Sequence, residues 1–335
     1  MRSLRRAWPE AFIVGLVYDA QESGIYADER PDVVFTIPYP SAGKQALLDR
    51  LDVVLEQASF EVLLPTLDAE IEPLIHLDHL LRERGVTAVL PGSDSFQERS
   101  KQNLSKLCEK CDVLTPTTVV VNDDIAAAQA AGKLGFPVFV KGPFYDAYQV
   151  FGQDDLLARS QTLLAEWGGP LLVQEAKEGV EFNMIGVGDG EGGLLASCTV
   201  RKTVVSSKGK GYGGVTIHDP GLSGQCERLI RQLKWSGPFE LEFLKESSTG
   251  DFYLLEMNPR FPAWADVPAL LGVNMAELVV RRAKGEAVVP LGDCPAGRFF
   301  LRHNVDLVGS VNDLGQLMSM GTLSLPCLKK YTSAR

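Results

Sequence analysis

Short apolar runs alternate with helix-period segments over the first hundred residues. "FIVGLVY" (12–18), "VVFTI" (33–37), "FEVLLP" (60–65) and "VTAVLP" (86–91) are rich in β-branched residues and stop at Pro or a polar turn, as buried strands do. Between them, 44–57 and 70–85 repeat apolar residues at helical spacing, and the second closes on Gly85. Strand, helix and strand in alternation predict an open parallel sheet. The first strand is not followed by G-x-G-x-x-G, which excludes a dinucleotide module.

A second α/β unit opens near residue 116. It reads as a strand, an Asp-capped Ala-rich helix over 124–134 closed by Gly135, a strand "PVFVK" ending at Lys141, a helix "DDLLARSQTLLAEW" and a strand "PLLVQEA" (170–176). Beyond it come a hairpin turning at 188–193, a basic Gly-rich loop "SSKGKGYGG" (206–214), a helix over 224–235 and a long hairpin turning at "SSTGD".

Composition narrows the function. At 335 residues and 45% hydrophobic content, the chain buries a large core split into two or three domains. A charge of -10, from 43 acids against 33 bases, argues against nucleic acid or an anionic membrane as the main partner and favours small molecules. The N-terminal apolar run of eight residues has no cleavage pattern, and nothing approaches a membrane span, so a cytoplasmic protein is expected. Cys108 and Cys111 form a lone CxxC, read as two thiols one helical turn apart. His76 and His79 are read as surface or packing residues on a helix.

The chemistry concentrates in "LLEMNPRFPAW" (254–264), where Glu256, Asn258 and Arg260 alternate and share one face of a strand. Glu242, in "ELEFL", lies on the first strand of the same hairpin, where pairing can bring the two carboxylates together. Three oxygen donors suit Mg²⁺, or Mn²⁺, sharing further positions with phosphate and water. The other reading is a solvated acid pair; acids interrupting apolar runs favour the metal.

The order "FPVFVK", "LLVQEAKEGVEF", "FELEFL", "YLLEMNPRF" resembles the ATP-grasp superfamily, nearest its carbamoyl-phosphate-synthetase-like and biotin-carboxylase-like carboxylate ligases, from the "VLLPTLDAE" strand to about residue 285. The resemblance implies an α/β and α+β architecture: a Rossmann-like pre-ATP-grasp domain (1–115), a small nucleotide-lid subdomain (116–178) and a C-terminal subdomain with the metal site (179–335). It also implies ATP gripped between the two subdomains. Lys141 would lie along the α- and β-phosphates, and Lys101 matches the family's earlier phosphate-side Lys, a solvated helix Lys being the alternative. Glu175, Ala176 and Lys177 would recognise adenine, and Glu181 the ribose. Glu242, Glu256 and Asn258 would hold Mg²⁺, and Arg260 the substrate carboxylate or acyl-phosphate oxygens. Arg201 and Lys202 would face the transferring phosphoryl group, with a strand-end charge pair as the alternative.

The implied activity is phosphorylation of a carboxylate to an acyl phosphate, with ADP released and an amine displacing phosphate. Its partners would be a small-molecule carboxylate and amine, with a second copy of the chain in a homodimer as a further candidate. The rivals are a bicarbonate-phosphorylating enzyme and a non-catalytic nucleotide-binding protein. After Lys141 the chain reads "KGPFYDAYQVFG" where family members often have a Gly-rich stretch, so "SSKGKGYGG" is the candidate lid. The C-terminal "FFLRHNVDLV" reads as a strand packed on the nucleotide-binding lobe, with Arg302 and His303 near the acceptor.

Overall fold

The computed structural model describes residues 1–142, 147–206 and 211–325. The N-terminal lobe contains α1 (Arg2–Ala7), β1 (Val14–Val17), β2 (Val33–Thr36), α2 (Lys44–Gln57), α3 (Asp68–Glu83), α4 (Ser93–Glu98) and α5 (Leu104–Cys111). β1 and β2 are parallel, Val14 opposite Val33, as the alternation requires. The runs 60–65 and 86–91 meet at a single parallel bridge, Val62 to Thr87, instead of forming full strands. Each run ends within a few residues at a Pro, which has no N–H to extend a ladder.

The second unit comprises β3 (Thr118–Val121), α6 (Asp124–Leu134), β4 (Val138–Lys141), β5 (Ala147–Val150), α7 (Gln153–Trp167) and β6 (Leu171–Glu175), with strand order β3-β6-β4-β5. Asp123 caps α6 by accepting from the Ala126 N–H, and Gly135 closes the helix at φ +82°. The buried Ala127, Ala130 and Ala131 let α6 sit close on Val140 and Val173.

The third unit carries β7 (Gly179–Asp189), β8 (Leu194–Val205), β9 (Gly211–Ile217), α8 (Pro220–Leu233), β10 (Ser236–Glu246), β11 (Phe252–Asn258), α9 (Asp266–Leu270), α10 (Met275–Ala283), β12 (Gly292–Asp293), β13 (Phe299–Leu301), α11 (Val311–Met320) and β14 (Thr322–Ser324). Its large sheet runs β11-β10-β7-β8-β9-β13. One face is apolar over β7 and β10: Phe182, Met184, Phe239, Leu241 and Phe243 pack with Trp235, α5 and α8. By the period of two, the opposite face carries Asn183, Ile185, Glu240 and Glu242. Its apolar end, Ile185, Val187, Cys198 and Val200, is covered by Trp264 and α10. Its other end is polar.

Two expectations need correction. The Gly-rich stretch 206–214 is not all loop: Gly211–Gly214 belong to β9, where Gly214 lies opposite Lys202 and Phe300. A Cβ there would meet Arg201 O at 3.0 Å and the Phe300 ring at 3.1 Å, so the neighbouring strands pack close on this glycine. Residues 207–210 of the candidate lid, like 143–146 after Lys141, lie outside the described residues. The expected strand "FFLRHNVDLV" is half right. Phe299–Leu301 join the large sheet beside β9, but residues 302–310 have no regular structure and leave Val305, Leu307 and Val308 exposed. The chain then returns to the N-terminal lobe. There β14 pairs antiparallel with β2, and Leu317 and Leu323 are buried against Val17, Ile25 and Val34. Such long-range pairing leaves no local trace in sequence.

Candidate functional site

Strand register builds the polar face. Glu242 lies directly opposite Glu256, and Glu240 opposite Asn258, with a bulge just after Glu242. Asn183 of β7 stands on the other side of Glu242. The acids of "ELEFL" and "LLEMN" therefore form a single row. Sequence reasoning missed Glu240, although it is two residues before Glu242 on the same strand face. It is buried and fully engaged: Oε1 accepts from Asn183 Nδ2 at 2.6 Å and from Trp264 Nε1 at 2.9 Å, and Oε2 from Asn258 Nδ2 at 3.2 Å.

Glu242 is less well compensated. Burial, with the charge of Glu240 next, pushes its carboxyl up to about 7, and Lys202 only partly offsets this. Lys202 Nζ lies 2.6 Å from Glu181 Oε2 and 3.4 Å from Glu242 Oε2. Burial works against the Lys202 charge, but Glu242 and Glu181 together outweigh it and raise the pKa above the ordinary lysine value. Arg201, adjacent on the strand, is exposed on the opposite face, so the structure does not bring it into this cluster.

Two lysines approach from other elements. Lys101, in the turn between α4 and α5 rather than on a helix, lies 3.5 Å from Glu256 Oε1. Lys141, at the end of β4, donates to Gln174 Oε1 at 2.6 Å, and Gln174 Nε2 in turn donates to Thr118 Oγ1 at 2.8 Å. One narrow cavity is lined by both lysines together with Thr115, Thr118 and Gln174. Burial lowers Lys141 to about 8; Glu256 opposes the shift and Lys101 adds to it.

At the end of β6, Lys177 Nζ lies 2.7 Å from Glu175 Oε1 and 3.2 Å from Glu246 Oε1. The Glu175 carboxyl falls below its ordinary value because the Lys177 and Thr117 hydrogen bonds outweigh burial. The Ala176 N–H donates to Pro137 O at 3.4 Å, tying this segment to β4. Arg260, just past β11, lies 3.3 Å from Asp68 Oδ2 and 3.5 Å from Glu240 Oε2. Asp68 and Arg99, which donates to Met257 O at 3.4 Å, were also missed, because both come from the N-terminal lobe. Arg302 is spent elsewhere: its N–H donates to Tyr212 O at 2.7 Å, and its guanidinium lies 5.4 Å over the Tyr212 ring.

The residues fit a hard cation. The donor set is all oxygen, and Glu242, pushed up by burial and the charge of Glu240, is only partly balanced by Lys202. Asn183 Oδ1, in the same row, is buried without a hydrogen-bond partner. The Asn258 amide nitrogen faces Glu240 and Glu242, which leaves its oxygen as the donor toward an ion. Among the described residues no group of three or more His, Cys, Asp or Glu side chains forms a ready-made cage for a metal ion. Cys108 and Cys111 are packed thiols: burial raises both, Cys108 to about 12, which disfavours the thiolate at neutral pH. No helix among the described residues is long and apolar enough to cross a membrane.

Comparison with known proteins bears on this site. The profile of a family described as ATP-grasp in the biosynthetic pathway with Ter operon matches residues 169–296, a span that holds Glu175, Glu242, Glu256, Asn258 and Arg260. No curated protein matches the chain. The biotin carboxylase domain of Hydrogenobacter thermophilus 2-oxoglutarate carboxylase, solved as a dimer with MgADP, ADP and bicarbonate, superposes with a TM-score of 0.67 at 17% identity, over 86% of this chain and 67% of its own. Biotin carboxylase from Campylobacter jejuni gives 0.68 at 14% identity over 86% and 68%. L-amino acid ligase from Bacillus licheniformis gives 0.63 at 14% identity over 84% and 70%. At these identities the likeness is one of fold.

Proposed function

Starting from an ATP-grasp fold, we propose that this chain is an ATP-dependent ligase that phosphorylates a carboxylate, releases ADP, and lets an amine displace phosphate from the acyl phosphate. The observation that carries this reading is the oxygen-donor row Glu242, Glu256 and Asn258 standing against Lys101 and Lys141. Acids on one side and ammonium groups on the other are what a metal-bound polyphosphate needs.

In this reading Lys141 and Lys101 act as point charges on the phosphates, a use suited to Lys. Glu175, Ala176 and Lys177 take the adenine edge, and Glu181 the ribose, which requires Lys202 to relax its grip on Glu181. Mg²⁺ held by Glu242, Glu256 and Asn258 would neutralise charge on the terminal phosphates. Lys202, already between two of the acids, keeps the row compact and can turn to the transferring group. Arg260 holds the carboxylate. Arg201, on the far face, has no part in this arrangement.

Bicarbonate is the second reading for the carboxylate, favoured by its presence in the Hydrogenobacter complex. That complex is also the reason to test for a homodimer by light scattering. The deciding assay measures ADP and phosphate release across a panel of carboxylates, amines and bicarbonate. ADP with phosphate from one pairing is the expected result; AMP with pyrophosphate, or no nucleotide turnover with any pairing, contradicts the reading.

A further inference from the structure

Arg260 does not stand alone. Its Nη2 lies 3.3 Å from Asp68 Oδ2, at the start of α3. Arg99, the C-cap of α4, donates through Nη1 to Met257 O at 3.4 Å, on the residue between Glu256 and Asn258. Its guanidinium lies 4.2 Å over the Phe96 ring, which fixes its plane. Burial lowers its pKa, the charges of Asp68, Glu256 and Glu72 oppose the shift, and Arg260 adds to it. Two polar atoms here are buried without hydrogen-bond partners: Arg99 Nε and Asp68 Oδ1. Orphans of this kind are rare in folded proteins and mark places where a partner is missing.

We propose that Arg99 is a second guanidinium of the oxyanion seat, binding with Arg260 either the substrate carboxylate or the phosphoryl oxygens derived from ATP, and that Asp68 occupies this seat until the anion arrives. This rests on the nucleotide reading above for its place in the reaction but not for its geometry. A planar guanidinium with an unused Nε–H offers two parallel donors, the fork that carboxylate and phosphate oxygens match. The Phe96 ring and the backbone bond to Met257 hold the fork in place before any ligand binds. Asp68 is itself a carboxylate, and its contact with Arg260 shows that the seat accepts that group.

The test is isothermal titration of inorganic phosphate and, separately, acetate into the full-length protein, with and without Mg-ADP. Wild type should bind one of them; tighter phosphate identifies phosphoryl oxygens as the natural guest, and tighter acetate a carboxylate. Arg99→Gln should weaken that anion about tenfold or more, in line with the loss of a charged hydrogen bond, with Arg99→Lys in between and Mg-ADP affinity within twofold of wild type. Asp68→Asn should tighten the anion, an opposite sign that misfolding cannot give. No anion binding by wild type, equal affinity in Arg99→Gln, or weaker binding in Asp68→Asn overturns the proposal. Anion binding that depends on Arg99 without nucleotide, in a protein that fails to bind Mg-ADP, would keep this proposal and reject the nucleotide reading.

Discussion

Two concave regions of the molecule differ in what they lack. The N-terminal lobe holds the larger, about 1320 Å³ between α1, β1, residues 59–66 and α10, with walls that include Trp8, Leu16, Phe60, Leu64 and Leu74. Its polar groups are already matched: the Tyr18 hydroxyl donates to Glu70 at 2.7 Å, and the other Glu70 oxygen accepts the Thr66 and Leu67 N–H groups. The narrow cavity at Lys101 and Lys141, beside the polar face of the large sheet, is far smaller, yet Glu242 is only partly compensated on that face and Asn183, Asp68 and Arg99 each leave a buried atom unpaired. Volume alone records incomplete packing. Missing charge and missing hydrogen bonds record a missing ligand, and that is why the smaller region is read as the site.

The strongest way to break this comparison is to remove charge from the acid row. Glu256→Gln and Asn258→Ala should each lower turnover about a hundredfold or more, the scale of one preorganised electrostatic group. Nucleotide affinity should fall much less, since Glu175, Lys177 and Glu181 are untouched; steady-state kinetics beside nucleotide titration separates the two. Arg260→Ala should weaken the carboxylate substrate by about ten- to a hundredfold, as expected for a lost charged hydrogen bond, and leave ATP affinity near wild type; KM for each substrate is the measure.

A smaller effect is a shift with pH. A group whose folded pKa is raised stabilises the fold at low pH, and this contribution is lost as pH rises through the folded value. For Glu242 that window ends near 7, so the protein without metal should be relatively worse off above it, where a cation can compensate. The rise in melting temperature produced by Mg-ADP should therefore grow from pH 6 to 7.5. It should shrink above pH 8, where Lys141 loses its proton and its hold on phosphate. Thermal scans across this range should show both limbs, and Glu242→Gln should flatten the acid limb. The smallest effect belongs to the cavity. Ala276→Phe, which projects a ring into it, should change nucleotide affinity and turnover by less than about twofold; loss of activity in a folded Ala276→Phe protein would move the site to the N-terminal lobe.

Much of this was legible in the sequence because it is local. The Asp123 cap, the Gly135 stop and the hairpin around "SSTGD" follow from propensity and turn chemistry, and the pairing of Glu242 with Glu256 follows from hairpin register. Glu240 was legible too, from the same strand period, two residues before Glu242. Non-local features were not. Asn183 reaches the row through β7–β10 register, Asp68 and Arg99 through the packing of the N-terminal lobe, and β14 through a return of the chain across some 290 residues to β2. Arg201 was misplaced for a different reason: neighbours on a strand point apart, so it could not accompany Lys202.

The central claim is that the row Glu242, Glu256 and Asn258 binds the metal that carries the nucleotide. Isothermal titration of a non-hydrolysable ATP analogue, with and without Mg²⁺, into wild type and Glu242→Gln/Glu256→Gln tests it most directly. Wild type should bind at least tenfold more tightly with Mg²⁺ than without, the order of one charged contact, and the double variant should show no metal dependence while still binding the base. Equal metal dependence in the two proteins would contradict the account.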